Sequence, residues 1–396
     1  MIFGFDLFRE RAYRRYWISG FLANIGWMIY WVVSTWLMVE IDGRPEMVAL
    51  VQTCLSIPVL FFAIPAGAVA DLYGRRAVII PSQLLVLSGF CAVTILIWVG
   101  SLTPLCILAL SAIIGFGRAC LNPCWQSFTA LIAPKNQLKQ AVAFNSVGFN
   151  LARSIGPAVG GIMLAMSSPL IALLSTILTN LGLLLFARTM PEPTETLKSG
   201  SRILRLIADG FVYVSSNKRL LWIYFSAGLF NISAVIVLAL LPLLAVELFD
   251  TGAMGYGFLL SLFGIGAIVG ALLQSLFVSK FGYARYLRWT FRVFAIALFM
   301  LFLSEFPLVS ELAICICGAC WLMVLSSLSA SIQVISENEY RSRAQALFHV
   351  VIYGANGVGA FLWGVLAGET SLTVAFAIAG GVVLSSSYLV RIPDEK

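Results

Sequence analysis

Charge is scarce in this sequence. Of its 396 residues only 11% are Asp, Glu, Lys or Arg, and His349 is the single histidine. An ordinary soluble domain is about 25% charged. With 60% of the residues hydrophobic, no water-facing fold hides enough apolar surface. That excludes a soluble enzyme, a nucleic-acid binder and a disordered chain. HExxH, GxSxG and Walker phosphate loops are also missing, so the sequence offers no metal site, no cofactor site and no nucleotide-driven transport of its own. Gly264-Ile-Gly266 and Gly357-Val-Gly359 follow no strand and read as helix-packing glycines. The eight cysteines lie in or beside apolar runs and read as small buried hydrophobes. Cys317 and Cys320 form a CxxC without a histidine partner. No carboxylate lies deep in any apolar run.

What the chain does have is long apolar runs. A membrane-spanning helix needs about 20 such residues. Twelve runs qualify, near 16–39, 47–70, 77–99, 104–126, 140–165, 168–188, 220–246, 255–278, 286–304, 310–333, 343–367 and 371–390. The first follows Arg9, Arg11, Arg14 and Arg15, but it is too long for a cleaved signal peptide and lacks the small-residue site. One long break, 190–219, begins Pro191-Glu192-Pro193. Within it Ile203, Leu204, Ile207, Phe211 and Val214 recur at helical spacing, away from Arg202, Arg205 and Asp209. That pattern predicts an amphipathic helix on the membrane surface.

Charge is distributed by side. The N-terminus, alternate loops and the C-terminus hold nearly all the cations, among them Arg75, Arg76, Lys135, Lys139, Arg188, Lys198, Lys218, Arg219, Lys280, Arg285, Arg288, Arg341, Arg343, Arg391 and Lys396. The opposite loops hold Arg44 and the acids Glu40, Asp42, Glu46, Glu247, Asp250, Glu305, Glu311 and Glu369. The positive-inside rule places both termini in the cytoplasm, and the net charge of +7 is mostly this rule at work.

The halves repeat. Pro134-Lys-Asn-Gln-Leu-Lys-Gln-Ala141 and Ser336-Glu-Asn-Glu-Tyr-Arg-Ser-Arg343 each lead into a Gly-rich helix, about 202 residues apart. Gly67-Ala-Val-Ala-Asp71-Leu-Tyr-Gly74-Arg75-Arg76 has a worn counterpart in Ser275-Leu-Phe-Val-Ser279-Lys-Phe-Gly282. The expected architecture is all-α integral membrane, with two six-helix pseudo-repeats. They occupy 1–189 and 220–396 and are joined by a cytoplasmic linker, 190–219. In such parallel repeats substrate binds near the midplane between the halves.

Gly67-xxx-Asp71-xx-Gly74-Arg75-Arg76 resembles the signature of the major facilitator superfamily (MFS) between its second and third helices. Ala143-Phe-Asn145 through Arg153-Ser-Ile-Gly156-Pro157-Ala-Val-Gly160-Gly161 resembles the fifth helix of its enterobactin-exporter-like branch, and Asp209 to Val214 and Arg341-Ser-Arg343-Ala fit that branch too. The resemblance covers essentially the whole chain. It implies the MFS fold and a monomeric, proton-driven exporter of small molecules in a bacterial inner membrane, with siderophores and drugs as usual cargo. It also implies that Gly67, Asp71, Gly74, Arg75 and Arg76 form a conformational latch, and that Gly156, Pro157, Gly160 and Gly161 form an antiporter-like motif. Ala152 stands where that motif usually begins with glycine, and Ser279 replaces the acid in the second half.

The substrate cavity is expected from polar residues inside the spans. Arg118 and Arg153 each cost about 2.5–3.5 kcal/mol at a helix centre and must face protein or a wet cavity. Arg118, Asn122, Trp125 and Gln126 share a face of the fourth helix; Asn145 shares one on the fifth with Phe149. Asn24, Trp27 and Trp31 lie on one side of the first helix, suited to a flat, partly polar ligand. His349, Tyr353 and Asn356 fall at i, i+4 and i+7 on the eleventh. Each of these side chains also fits plain helix packing. Two arginines without buried acids favour an anionic or neutral cargo. A coupling proton would then ride on a rim acid, on His349 or on the cargo. An importer, a lysophospholipid flippase and a non-transporting membrane sensor remain alternatives.

Overall fold

The computed structural model describes residues 5–134, 137–190, 200–249, 252–303, 306–337 and 340–390. Several sequence expectations fall outside these residues: the start of the linker at 191–199 with Lys198, and Lys135, Asp250, Glu305, Arg391 and Lys396. The side chains of Asp71, Lys139, Arg202 and Arg205 lie outside them as well.

A short 3-10 turn, Phe5–Arg9, precedes fourteen α-helices among the described residues. The first six are α1 (Arg11–Ile41), α2 (Pro45–Tyr73), α3 (Arg75–Trp98), α4 (Pro104–Ser127), the one-turn α5 (Thr129–Ile132) and α6 (Leu138–Met166). Then come α7 (Pro169–Thr189), α8 (Gly200–Ser216), α9 (Lys218–Phe249), α10 (Ala253–Phe281) and α11 (Tyr283–Leu303). The last three are α12 (Pro307–Ile335), α13 (Arg341–Glu369) and α14 (Leu372–Leu389). No described residue is in a strand.

Leaving out α5 and α8, twelve long helices remain, and ten of them are long and apolar enough to cross a membrane. The other two are α6, which carries Asn145, Asn150 and Arg153, and α11, which carries Arg285, Arg288 and Arg292. The chain is a multi-pass membrane protein. Helix starts follow local chemistry: Thr103 and Ser168 cap α4 and α7 through their hydroxyls, each followed by proline at the first turn.

Because short connections reverse the chain, one end of the bundle gathers Arg75, Arg76, Arg188, Lys218 and Arg341, and the other Glu40, Asp42, Glu46, Glu311 and Glu369. We call these the basic and acidic ends. At the acidic end Arg44 Nε donates to Asp42 Oδ1 at 2.8 Å. This bond holds the Asp42 carboxyl below the usual carboxylate range.

Helix partnerships recur in the two halves. Helix α1 packs on α6 and α7, α2 on α4, and α3 on α4 and α7; likewise α9 packs on α13 and α14, α10 on α12, and α11 on α12 and α14. Gly74, between α2 and α3, has φ 90° and ψ 151°; Gly282, between α10 and α11, has φ 76° and ψ 155°. Both need the conformation that only glycine adopts freely. Close approach is bought with small residues. A Cβ on Gly115 would lie 2.7 Å from the Cys54 carbonyl oxygen, and one on Gly318 1.9 Å from that of Phe263. The halves meet along two seams, α2 against α13 and α6 against α10.

Candidate functional site

Both seams are tightest toward the acidic end. On α6, Gly161 meets Gly257 of α10 backbone to backbone: a Cβ on Gly161 would lie 2.3 Å from the Gly257 Cα. On α13, a Cβ on Gly364 would lie 2.4 Å from the Ala49 Cβ of α2, and one on Gly368 would lie 2.5 Å from the Glu46 carboxylate. Thr53 Oγ1 donates to the Gly357 carbonyl at 2.9 Å across the same seam. The Trp36 and Tyr256 rings stack at 5.9 Å between α1 and α10. The halves are thus closed at this end.

Toward the basic end they part around a cavity of about 440 Å³. Its wall includes Gly67 of α2, Asn122 and Gln126 of α4, Phe149 of α6, and Arg343, His349 and Tyr353 of α13. Among the described residues that wall carries a cation and no carboxylate. Gln345, one turn from His349, donates to Ser329 Oγ at 2.9 Å and lies 3.5 Å from His349 Nε2.

Two further arginines are held deeper. Arg118 is 3% exposed; its Nη2 donates to Asn24 Oδ1 at 2.7 Å, and its guanidinium lies 5.1 Å from the Trp27 ring. A hydrogen bond to a charged group contributes about 1.5–3 kcal/mol and a cation–π contact about 0.5–2 kcal/mol. Together they offset an insertion cost of about 2.5–3.5 kcal/mol. Arg118 Nε still has no partner among the described residues. Arg153 of α6 crosses to the other half, its guanidinium 5.7 Å from the Trp321 ring of α12. The Tyr353 hydroxyl is within electrostatic reach of both arginines, and Arg153 is within reach of His349.

Of the expected cavity residues Asn122, Gln126, His349 and Tyr353 line this cavity; Asn24, Trp27, Arg118 and Arg153 form the contacts just described outside its wall, and Trp31, Asn145 and Asn356 are elsewhere. Asn145 is tied into a junction of α1, α5 and α6: its Oδ1 accepts from Tyr13 Oη at 3.3 Å, and its Nδ2 donates to Tyr16 Oη at 3.3 Å and to Thr129 Oγ1. The one-turn α5 puts Thr129 beside it and turns the amide from the cavity. Trp31 is buried in the core at 5% exposure, and Asn356 is buried too; Trp31 Nε1 and Asn356 Oδ1 have no partner among the described residues. Trp125, expected beside Arg118, stacks instead on Tyr16 at 4.9 Å. Trp321, Gln345 and the pairing of Gly161 with Gly257 went unnoticed in the sequence. A tryptophan in mid-span was the available signal for the first.

The glycine-rich motif of α6 faces two ways. A Cβ on Gly156 would lie 2.7 Å from Met28 Cβ, and one on Gly160 3.1 Å from the Ile29 Cα, both on α1, whereas Gly161 faces α10. Pro157 sits inside the helix between them. At the α2–α3 corner, Arg75 Nε donates to Ser127 Oγ at 2.7 Å, and Ser127 Oγ donates on to the Cys124 carbonyl. Arg76 Nη2 donates to the Arg188 carbonyl in the last turn of α7. Both cations therefore serve the C-terminal ends of other helices, where positive charge is favourable.

Known proteins share this architecture. The solved nucleoside transporter NupG superposes with a TM-score of 0.72 at 15% identity, covering 95% of this chain and 97% of that one. A POT family transporter in complex with 5-aminolevulinic acid gives a TM-score of 0.72 at 14% identity, covering 96% and 95%. These likenesses concern the fold. In sequence, the chain is similar to the staphyloferrin A transporter of Staphylococcus aureus (strain NCTC 8325 / PS 47), 26% identical over 64% of each chain. It is also similar to the multidrug efflux pump Tap of Mycolicibacterium fortuitum, 28% identical over 36% of each. The matches span just under two-thirds and about a third of those relatives. The model of the family described as transmembrane secretion effector matches residues 3–394. The chain belongs to this family of major facilitator superfamily transporters.

Proposed function

We propose that all twelve long helices cross a bacterial inner membrane as two related halves, 1–189 and 220–396, with the linker 190–219 and both termini in the cytoplasm. In this reading the protein exports a small organic anion, siderophore- or drug-like, by alternating access in exchange for protons. The observation that carries it is the cavity between the halves. It lies toward the basic end and is closed toward the acidic end by glycine crossings; Arg343 is in its wall with no described carboxylate, and Arg118 and Arg153 are held outside that wall, on Trp27 and Trp321. A positive cavity without a fixed counter-charge selects a negatively charged guest. The positive-inside rule makes the basic end cytoplasmic, so this state loads from the cell. The names of the efflux-pump relatives support the outward direction.

The Asp71, Gly74, Arg75 corner is proposed to bias which end is open, because charges at a helix end exchange partners at low cost near water. Among the described residues lining the cavity, His349 is the one imidazole. A rim acid, His349 and an acidic group on the cargo are the carriers proposed for a coupling proton.

The test is metabolite profiling of medium and cytosol from cells expressing wild type, Asp71→Asn or no transporter. An acidic compound should gather in the medium with wild type only, and the effect should vanish when the proton gradient is collapsed. His349→Gln then separates the carriers, since uncoupled export places the proton on the histidine. Depletion of a compound from the medium would overturn export in favour of import. No change in either pool, with the protein verified in the membrane, would shift the reading to lipid transport or sensing.

A further inference from the structure

The outer surface of α11 holds a cluster that the transport cavity does not use. At about 100° per residue, Arg285, Trp289, Arg292 and Ile296 fall on one narrow stripe of α11, with Arg288 at its edge. Trp289 is 52% exposed and Ile296 54%. The stripe therefore faces away from the bundle, and in a membrane protein that means toward lipid.

Arg292 is fixed in place. Its guanidinium lies 5.4 Å from the Trp289 ring and 5.0 Å from the Tyr388 ring, and its Nε donates to Ser387 Oγ at 3.3 Å. Among the described residues the ion pairs are those of Arg44, so no described carboxylate pairs with Arg285, Arg288 or Arg292.

Depth completes the pattern. Ser387 and Tyr388 belong to the last turn of α14, an 18-residue helix. Such a helix is about 27 Å long, against about 30 Å of hydrocarbon. Arg292 thus meets the last turn of α14, within snorkelling reach of the boundary where lipid phosphates begin, and Arg288 and Arg285 lie about one and two turns farther out. A lone arginine at this depth is an ordinary snorkelling anchor. Three on one stripe, without acids and with the innermost held between two rings, make a ready receptor for a phosphodiester.

We propose that this surface binds the headgroup of an anionic phospholipid from the basic-end leaflet. Arg288 and Arg292 take the phosphate, Arg285 takes the outer part of the headgroup, and Trp289, Tyr388 and Ile296 lie along the glycerol and upper acyl chains. The site is separate from the cargo cavity and does not depend on what the cargo is.

The test uses the full-length protein, delipidated in neutral detergent and titrated with phosphatidylglycerol or phosphatidylcholine of identical chains. Bound lipid is counted by native mass spectrometry. Wild type should retain phosphatidylglycerol in preference to phosphatidylcholine. Each arginine contributes about fivefold at a surface of this kind, so Arg285→Gln/Arg288→Gln/Arg292→Gln should lose tenfold or more of the phosphatidylglycerol affinity and less of the phosphatidylcholine affinity, so that the preference between the two lipids collapses. Equal phosphatidylglycerol binding by wild type and variant overturns the proposal, as does equal binding of the two lipids by wild type. Displacement by millimolar inorganic phosphate overturns it too, because the site would then take free anions. Should the triple variant fail to fold, the exposed pair Arg285→Gln/Arg288→Gln carries the test, with severalfold loss expected and unchanged binding counting against the site.

Discussion

Arg118 is buried, positively charged and pinned by a single amide. Its bond to Asn24 and its contact with Trp27 make it stable enough to stay, and its Nε is left for something else. If that is an anionic cargo, Arg118→Gln should lower export by about 10- to 100-fold, the equivalent of a lost charge-assisted hydrogen bond. Arg118→Lys should rescue little, since an ammonium cannot both reach Asn24 and lie flat on the indole. The check is initial efflux rate in inverted vesicles at matched protein level; wild-type rates in either variant would remove Arg118 from the cargo path. At this scale the sequence named the actors without their pairings. Arg118 and Asn24 stood out because polar groups inside apolar runs need a reason, but nothing in spacing joins residues so far apart in the chain. Asn145 shows the converse. Helical periodicity put it on the cavity face, but neighbouring faces differ by little, and the break after Ser127 that places Thr129 beside it left no trace in composition.

Helices were legible at nearly their observed limits, because twelve apolar runs separated by short charged loops admit one reading. Their functions as elements were less so. Helix α6 uses adjacent glycines for different tasks: Gly160 seats it on α1 within its half, and Gly161 brings it against α10 of the other. The pattern announced close packing without naming the second partner. Gly161→Leu should therefore wedge the acidic end apart. Expected outcomes are loss of export by at least tenfold and labelling of a cysteine placed at Thr53 by an impermeant maleimide from the acidic side, in a background without the eight native cysteines. Gly182→Leu on α7, where a Cβ would meet nothing within 4 Å, is the matched control and should transport normally. A sealed seam in Gly161→Leu would mean that this crossing does not gate. The corner between α2 and α3 is read similarly. Arg75→Gln removes the bond to Ser127 and should lower unfolding stability in detergent by about 0.3–1 kcal/mol, the range for a cation at a helix C-terminus. A change in export with no change in melting would assign Arg75 to the conformational latch instead of the helix end.

For the whole molecule, the asymmetry of charge between loops was plain in the sequence and follows from how membranes orient helices. Which end is open was not, because closure depends on glycine contacts between helices far apart in the chain. On the proposed reading the union of the two would set selectivity: an anion arriving from the basic end would meet positive potential in a site walled by apolar helices, where screening by salt is weak. That field can be altered without touching the fold. Gln126 lines the cavity and is exposed there, so Gln126→Glu adds one negative charge at little structural cost. Two unit charges about 8 Å apart interact by about 2 kcal/mol at an effective dielectric of about 20. KM for an anionic cargo should then rise by roughly 30-fold while a neutral analogue is transported as before. Raising pH above the ionisation of the new carboxylate should deepen the defect, because the group repels the cargo only when deprotonated. If anionic and neutral cargoes instead suffer equally, the substitution acts by shape, and the positive cavity is a matter of packing alone.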